Sequence, residues 1–234
     1  MGLRLNLNYE VMTSLYLSVK RDLMFLVMIG PPGAGKGTQA KRLAETLGLS
    51  HVSTGEIFRQ NISRKTELGL RVKEVLEDGI LVPDDLTIEL VQDQIDQLVN
   101  SSGAIFDGFP RNLEQATALE DMLLLHGKGV DLAPLINLSD STIIERLTGR
   151  RTDKDTGKTY HLIYDPPPRN ANIEQRSDDK RDTVLRRLDD YHQSTVPMLA
   201  YYDERDLLCK IDGEDTIDRV TDALLKVIRG RVFA

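Results

Sequence analysis

A chain of 234 residues is long enough for one well-buried core with room for small inserted subdomains. Its formal net charge of −7 at pH 7 argues against general nucleic-acid binding, which needs a basic field. No apolar run reaches the roughly 18 residues of a membrane span, and a single cysteine, Cys209, excludes an internal disulfide.

Residues 1–22 begin with Leu3, Leu5 and Leu7 alternating with polar residues, followed by the moderately apolar Val11–Val19. They lack a compact apolar core with a small-residue cleavage site, so a secretory signal is not expected. They read as an N-terminal extension. A cytoplasmic location is expected, with an organellar one left open by this segment.

Leu23–Ile29 is an apolar run that ends in a glycine-rich turn, the pattern of a buried central strand. Lys36–Leu47 shows helical spacing and is stopped by Gly48. His51–Ser53 is a short strand. Thr54–Leu81 is predicted mostly helical, with interruptions at Gly69 and Gly79. Pro83 opens a helix over about Leu86–Val99. Ala104–Asp107 and Leu132–Leu138 are further strands, and Ser141–Thr148 is helical. Gly149–Lys180, with Gly157 and Pro166–Pro168, lacks a helical apolar face and reads as an exposed insert. Helical spacing returns over Thr183–Tyr202. Leu207–Asp212 is predicted as a buried fifth strand, with Cys209 a small core residue, and a last helix covers Thr216–Ile228. Strands alternating with helices give an α/β fold whose parallel sheet is covered on both faces. Ligands in such folds bind at the carboxyl ends of the strands.

The run Gly30-Pro-Pro-Gly-Ala-Gly-Lys-Gly-Thr38 follows a strand and opens a helix, the setting of a phosphate-binding P-loop. Backbone N–H groups of Gly33, Ala34, Gly35, Lys36, Gly37 and Thr38 can form an anion nest, aided by the helix N-terminus. Lys36 supplies a point charge for the outer phosphates. Gly37 stands where Ser or Thr usually binds Mg²⁺, so the ion is expected to be held mostly by phosphates and water. Asp107, ending an apolar strand, is the expected carboxylate beside it, acting through water.

The chain resembles the adenylate kinases from Leu23 to about Ile228. The matching blocks are Gly30–Thr38, Ser53-Thr-Gly55 with Arg59, Leu81-Val-Pro83, Asp107-Gly-Phe-Pro-Arg111, Gly149-Arg-Arg151, Tyr160-His161, Asp165-Pro-Pro167, and Arg176 through Arg187. The resemblance implies a P-loop NTPase core with a five-stranded parallel sheet, carried by residues 23–52, 83–148 and 180–234. It also implies a monophosphate-binding segment, 53–82, and a lid, 149–179, of the long type without zinc cysteines.

The same resemblance gives residues their roles. Arg59 and Arg111 would grip the AMP phosphate, while Arg146, Arg150, Arg176 and Arg187 would surround the transferring group and the ATP phosphates. Arg176 and Arg187 would face AMP as well, and Tyr160 would belong to the ATP side. The catalytic set would be Lys36, Arg111, Arg150, Arg176 and Arg187. Thr54, Val82, Gly108 and Gln115 would line the adenine pocket of AMP, and Asp178 and Asp179 would pair with lid arginines. Planar guanidinium forks suit phosphate oxygens and the charge shifting onto a transferring phosphoryl group. No protein base is needed, because the AMP phosphate is already largely ionised with a second pKa of about 6. Arg151 and Arg186 read as surface charges, and no histidine is required as a catalyst.

The implied reaction is reversible, Mg-dependent, in-line transfer of the terminal phosphate of ATP to AMP, giving two ADP, by a monomer. Asp153 and Thr156 stand at the first pair of lid positions that hold zinc in some relatives, so no zinc is expected. Alternatives left open are a kinase for UMP, CMP or GMP, a GTP-using AMP kinase, and a non-catalytic nucleotide switch. No partner beyond ATP and AMP, neither nucleic acid nor membrane, is expected.

Overall fold

The computed structural model describes residues 23–98 and 103–232, so the expected extension, 1–22, lies outside the described residues. The first strand, β1 (Met24–Met28), is buried at every position. It feeds the glycine-rich loop and helix α1 (Lys36–Leu47), which ends at Gly48 in the left-handed region, φ 69°. There follow β2 (Ser50–Ser53), α2 (Thr54–Ser63), α3 (Glu67–Glu77), α4 (Asp84–Leu98) and β3 (Gly103–Asp107).

β1, β3 and β2 form a parallel ladder in the order β1-β3-β2. Strands β4 (Ala133–Asn137) and β8 (Leu208–Asp212) form a second parallel ladder. The two ladders meet across β1 and β4 through isolated parallel bridges at Leu26↔Leu132 and Ile29↔Leu135. The Val27 N–H donates to Leu132 O at 3.0 Å there, and the Ile136 N–H to Ile29 O at 2.9 Å. The expected parallel strands are present as a ladder of three and a ladder of two, joined by an irregular seam between β1 and β4.

Alternation along β1 splits the core in two. Phe25, Val27 and Ile29 face one cluster, built with Val91 and Ile95 of α4 and with Met198 and Tyr202. Met24, Leu26 and Met28 face the other, with Ala40 and Leu43 of α1. That period of two is what a strand covered on both faces requires.

Three local readings are corrected and one is made specific. A helix absent from the sequence expectations, α5 (Leu113–Leu124), lies between β3 and β4, capped by Asn112, whose side chain accepts the Gln115 N–H. Its Ala116, Leu119, Met122 and Leu123 fill the first core cluster. Secondly, the break in the 54–81 helical stretch falls at Lys65, φ 52°, and not at Gly69, which sits inside α3. A Cβ at Gly69 would lie 2.2 Å from Asn61 O, so this glycine is there for close packing of α3 on α2. Thirdly, the insert after α6 (Asp140–Gly149) is an antiparallel sheet of β5 (Arg150–Asp153), β6 (Thr159–His161) and β7 (Ile173–Glu174), in the order β6-β5-β7. Finally, β8 is an edge strand in which Ile211 is buried and Cys209 only partly so. Burial pushes the Cys209 thiol up to about 11.

The chain closes through α7 (Arg181–Asp190), a π-helical turn at Tyr191–Thr195, α8 (Val196–Asp203) and, after β8, α9 (Ile217–Val232). No helix among the described residues is long and apolar enough to cross a membrane.

Candidate active site

The loop after β1 is tight. Gly35 takes the N-cap position of α1 at φ 89°, a conformation that side chains rarely adopt. Lys36 folds back over its own loop, donating from Nζ to Gly30 O at 2.8 Å and to Pro31 O at 2.9 Å. Burial lowers the Lys36 ammonium to about 8; Asp107 opposes that shift, and Arg111, Arg187 and Arg150 add to it. Ala34 is buried, and Thr38 is exposed on the first turn of α1.

Asp107 ends β3 beside this loop. Ser53 donates to its Oδ2 at 3.2 Å, and His51 Nε2 stands 3.5 Å away. Burial disfavours the Asp107 carboxylate, but His51, Lys36 and Ser53 outweigh it and hold the acid below its ordinary range. A Cβ at Gly37 would sit 3.1 Å from Asp107 Oδ2. The first turn of α1 therefore approaches the carboxylate closely at Gly37. Among the described residues no cluster of three His, Cys, Asp or Glu side chains is placed to hold a metal ion. A single carboxylate beside a phosphate loop fits a Mg²⁺ ion that arrives on a nucleotide and keeps most of its waters. The donors around Asp153 and Thr156 do not suit zinc: Asp153 is buried and its Oδ1 accepts the N–H groups of Asp155 and Thr156.

Two neighbouring cavities open at the carboxyl ends of the strands. The first is lined by Thr54, Arg59, Val82, Gly108, Arg111 and Gln115, together with Asp178 and Arg187. The second is lined by Gly30, Pro32 and Lys36 of the phosphate loop, and by Asp190, Tyr191 and Thr195. Arg111 and Arg187 line both.

Arg111, Arg150, Arg176 and Arg187 are each set by a protein partner. Arg111 donates from Nε to Gly108 O at 2.8 Å, and its own carbonyl accepts the Thr195 hydroxyl at 2.7 Å. Arg187 reaches Asp178 at 2.9 Å, while Arg150 makes a two-point pair with Asp179. Arg176 donates to Thr152 Oγ1 at 3.0 Å. Burial, then Arg187, lowers Arg111 to about 10; burial, then Arg150 and Arg59, lowers Arg176 to about 10. Burial likewise lowers Arg59 and Arg187. The cations stay charged at neutral pH but repel one another, which is the state of a site prepared for polyanions.

Arg146, Arg150, Arg176 and Tyr160 line neither cavity. Arg146 donates to Gly213 O at 3.1 Å, and Tyr160 lies buried in the lid sheet under Lys158 Nζ, 4.6 Å from its ring centroid. His161 stacks on Tyr164 at 4.6 Å, a packing role at the lid base. Arg151 turns to the carbonyls of Thr148 and Arg150, and Arg186 to that of Asp78.

The family model described as adenylate kinase matches residues 28–207. The chain belongs to the adenylate kinase family. It is 42% identical over 214 residues to the adenylate kinase of Clostridium novyi, an alignment covering 88% of this chain and 99% of that protein. It is 41% identical over 212 residues to the adenylate kinase of Agathobacter rectalis, with the same coverage of 88% and 99%. The adenylate kinase of Acetivibrio thermocellus is 41% identical over 214 residues, again covering 88% and 99%. The enzyme is therefore an ATP:AMP phosphotransferase with a P-loop fold, transferring the terminal phosphate of ATP to AMP.

Sequence reasoning missed Asp84, Thr195 and Asp190 near the site. Asp84 carries a faint signal, an acid just after Pro83 at a helix start. Thr195 carries none, since it depends on the π-helical turn.

Proposed function

We propose that the two cavities are the two halves of one reaction channel, with ATP entering over the phosphate loop and AMP entering beside Thr54. The observation that carries this reading is the common wall: Arg111 and Arg187 line both cavities. A phosphoryl group passing between two bound nucleotides must cross such a wall. Charge building on it needs fixed donors there.

In this reading the N–H groups of Gly33 through Thr38 and the Lys36 ammonium hold the outer ATP phosphates. Arg146, Arg150 and Tyr160 serve the donor side, reached when the lid closes. Arg59 and Arg111 hold the AMP phosphate. Arg176 and Arg187 share the charge of the transferring group. Thr54, Val82, Gly108 and Gln115 surround the adenine of AMP. Asp107 would hold Mg²⁺ through water; the ion neutralises charge on the ATP phosphates when bound.

The moving parts are 53–82 and 149–179, against a core of 23–52, 83–148 and 180–234. Arg59 lies on the first, and Arg150 and Arg176 on the second, so the cationic cage is complete only when all three parts meet. Closure also excludes water from the transferring phosphate. Every residue in this scheme comes from one chain, so the site is complete without a second copy, and the enzyme is read as a monomer acting in the cytoplasm.

Initial rates of ADP formation, with ATP and AMP varied together, test the channel. Intersecting lines, with no label left on protein incubated with γ-labelled ATP alone, are expected for direct transfer in a ternary complex. Parallel lines with a labelled protein would refute it. UMP, CMP and GMP as acceptors and GTP as donor are expected to be poor substrates.

A further inference from the structure

Gln115 is buried at 2% exposure, on the first turn of α5. Its amide is held from both ends. Nε2 donates to Asp84 Oδ1 at 2.6 Å, and Oε1 accepts the Arg111 N–H at 2.8 Å. Asp84 is itself fixed, because its Oδ2 accepts from Asn112 Nδ2 at 2.8 Å. Asn112 Oδ1 in turn accepts the Gln115 N–H at 2.9 Å, closing a ring across the starts of α4 and α5.

An ionised carboxylate can only accept hydrogen bonds, and a backbone N–H can only donate. Together they permit one orientation of the Gln115 amide. The flipped amide would set oxygen against the Asp84 carboxylate and NH₂ against the Arg111 N–H. One N–H and one lone pair of the amide then remain, in fixed order, on a side chain that lines the AMP-side cavity. A 6-aminopurine offers an acceptor at N1 and a donor at the 6-position. A 6-oxopurine offers the reverse, and burial prevents water from rescuing the mismatch.

We infer that Asp84 is a positioning residue that fixes the Gln115 amide and so selects a 6-amino over a 6-oxo purine monophosphate. The inference rests on the reading of Gln115 as an adenine contact. Asp84 acts on the base only through Gln115.

The test uses the full chain and four variants: Asp84→Ala, Asp84→Asn, Asp85→Ala and Gln115→Leu. The readouts are kcat and KM for AMP, KM for ATP, the Ki of IMP as a competitor of AMP, and Tm. Asp85→Ala is the control, since it removes an exposed acid from the same first turn of α4 without touching Gln115. For Asp84→Ala the Ki(IMP)/KM(AMP) ratio is expected to fall by about tenfold, the lower range of one fixed two-point base contact. Its kcat and KM for ATP are expected to stay within about twofold of the Asp85→Ala values on the same reasoning. Asp84→Asn keeps the volume but has one oxygen for the two donors Gln115 Nε2 and Asn112 Nδ2, so it should move the ratio the same way by a smaller amount, and it stands in if Asp84→Ala does not fold. An unchanged ratio in the Asp84 variants, with a changed one in Gln115→Leu, overturns the positioning role alone. An unchanged ratio in Gln115→Leu overturns the adenine contact and this inference with it.

Discussion

Arg150 and Asp179 form a two-point ion pair, Nε to Oδ2 at 2.8 Å and Nη2 to Oδ1 at 2.5 Å, with the Asp179 side chain fully buried. The pair joins the first lid strand to the turn that leads into α7. Removing one partner leaves the other charge poorly solvated, which costs on the order of 3 kcal/mol. Asp179→Leu is therefore expected to lose about that much in urea unfolding. Adding Arg150→Leu should recover part of the loss, because no orphan charge remains. A double variant no more stable than the single one would show that the pair is not the source of the loss.

Lys36→Met is expected to reduce kcat by about 10²-fold or more, the scale for losing a positioned charge at a transition state. The fold should survive, because Lys36 is already crowded by burial and by Arg111, Arg187 and Arg150. Circular dichroism and Tm check the second half. A large drop in Tm would mean that the bonds to Gly30 O and Pro31 O are a main support of the loop.

The lowered lysine also predicts proton linkage. With its ammonium near 8 against an ordinary 10.5, Lys36 is half charged in the free enzyme at about pH 8. Polyanionic ATP favours the charged form, so binding at pH 8 should take up protons, and at pH 6 should not. Titration calorimetry in buffers of different ionisation enthalpy measures this. For stability the sign is set by the unfolded chain binding more protons between the two values: the charged lysine opposes folding below about pH 8, and that cost fades as pH rises toward 10.5.

Arg111→Ala should raise KM for AMP by about tenfold or more, as expected for truncating a charge-assisted phosphate contact. Because Arg111 lines both cavities, kcat should fall as well, whereas KM for ATP should change little. Normal AMP kinetics would remove Arg111 from the site.

Gly69→Ala tests packing. In an exposed helix interior this change stabilises by about 1 kcal/mol. Here the new Cβ would meet Asn61 O at 2.2 Å and Ile62 N at 2.6 Å, both backbone atoms that cannot swing aside. Overpacking of this kind costs about 1–3 kcal/mol, so the sign should reverse and Tm should fall by several degrees. A rise in Tm would show that α2 and α3 can separate freely.

The sequence by itself determined the features that rest on local pattern. The apolar run of β1, the glycine loop that must follow it and the helix from Lys36 to the stop at Gly48 are all statements about neighbours in the chain. So is the departure at Gly37, although its closeness to Asp107 needed the fold. The cap of α5 is also written locally, as Asn112 three residues before Gln115.

Tertiary structure alone decided the rest. The break at Lys65, the lid sheet and the Asp84–Gln115 contact across 31 residues depend on partners far away in the chain. Periodicity reports which face of an element is apolar, and it says nothing about which distant carboxylate completes a buried polar group. That choice is made only when packing removes water and leaves each donor one acceptor within reach.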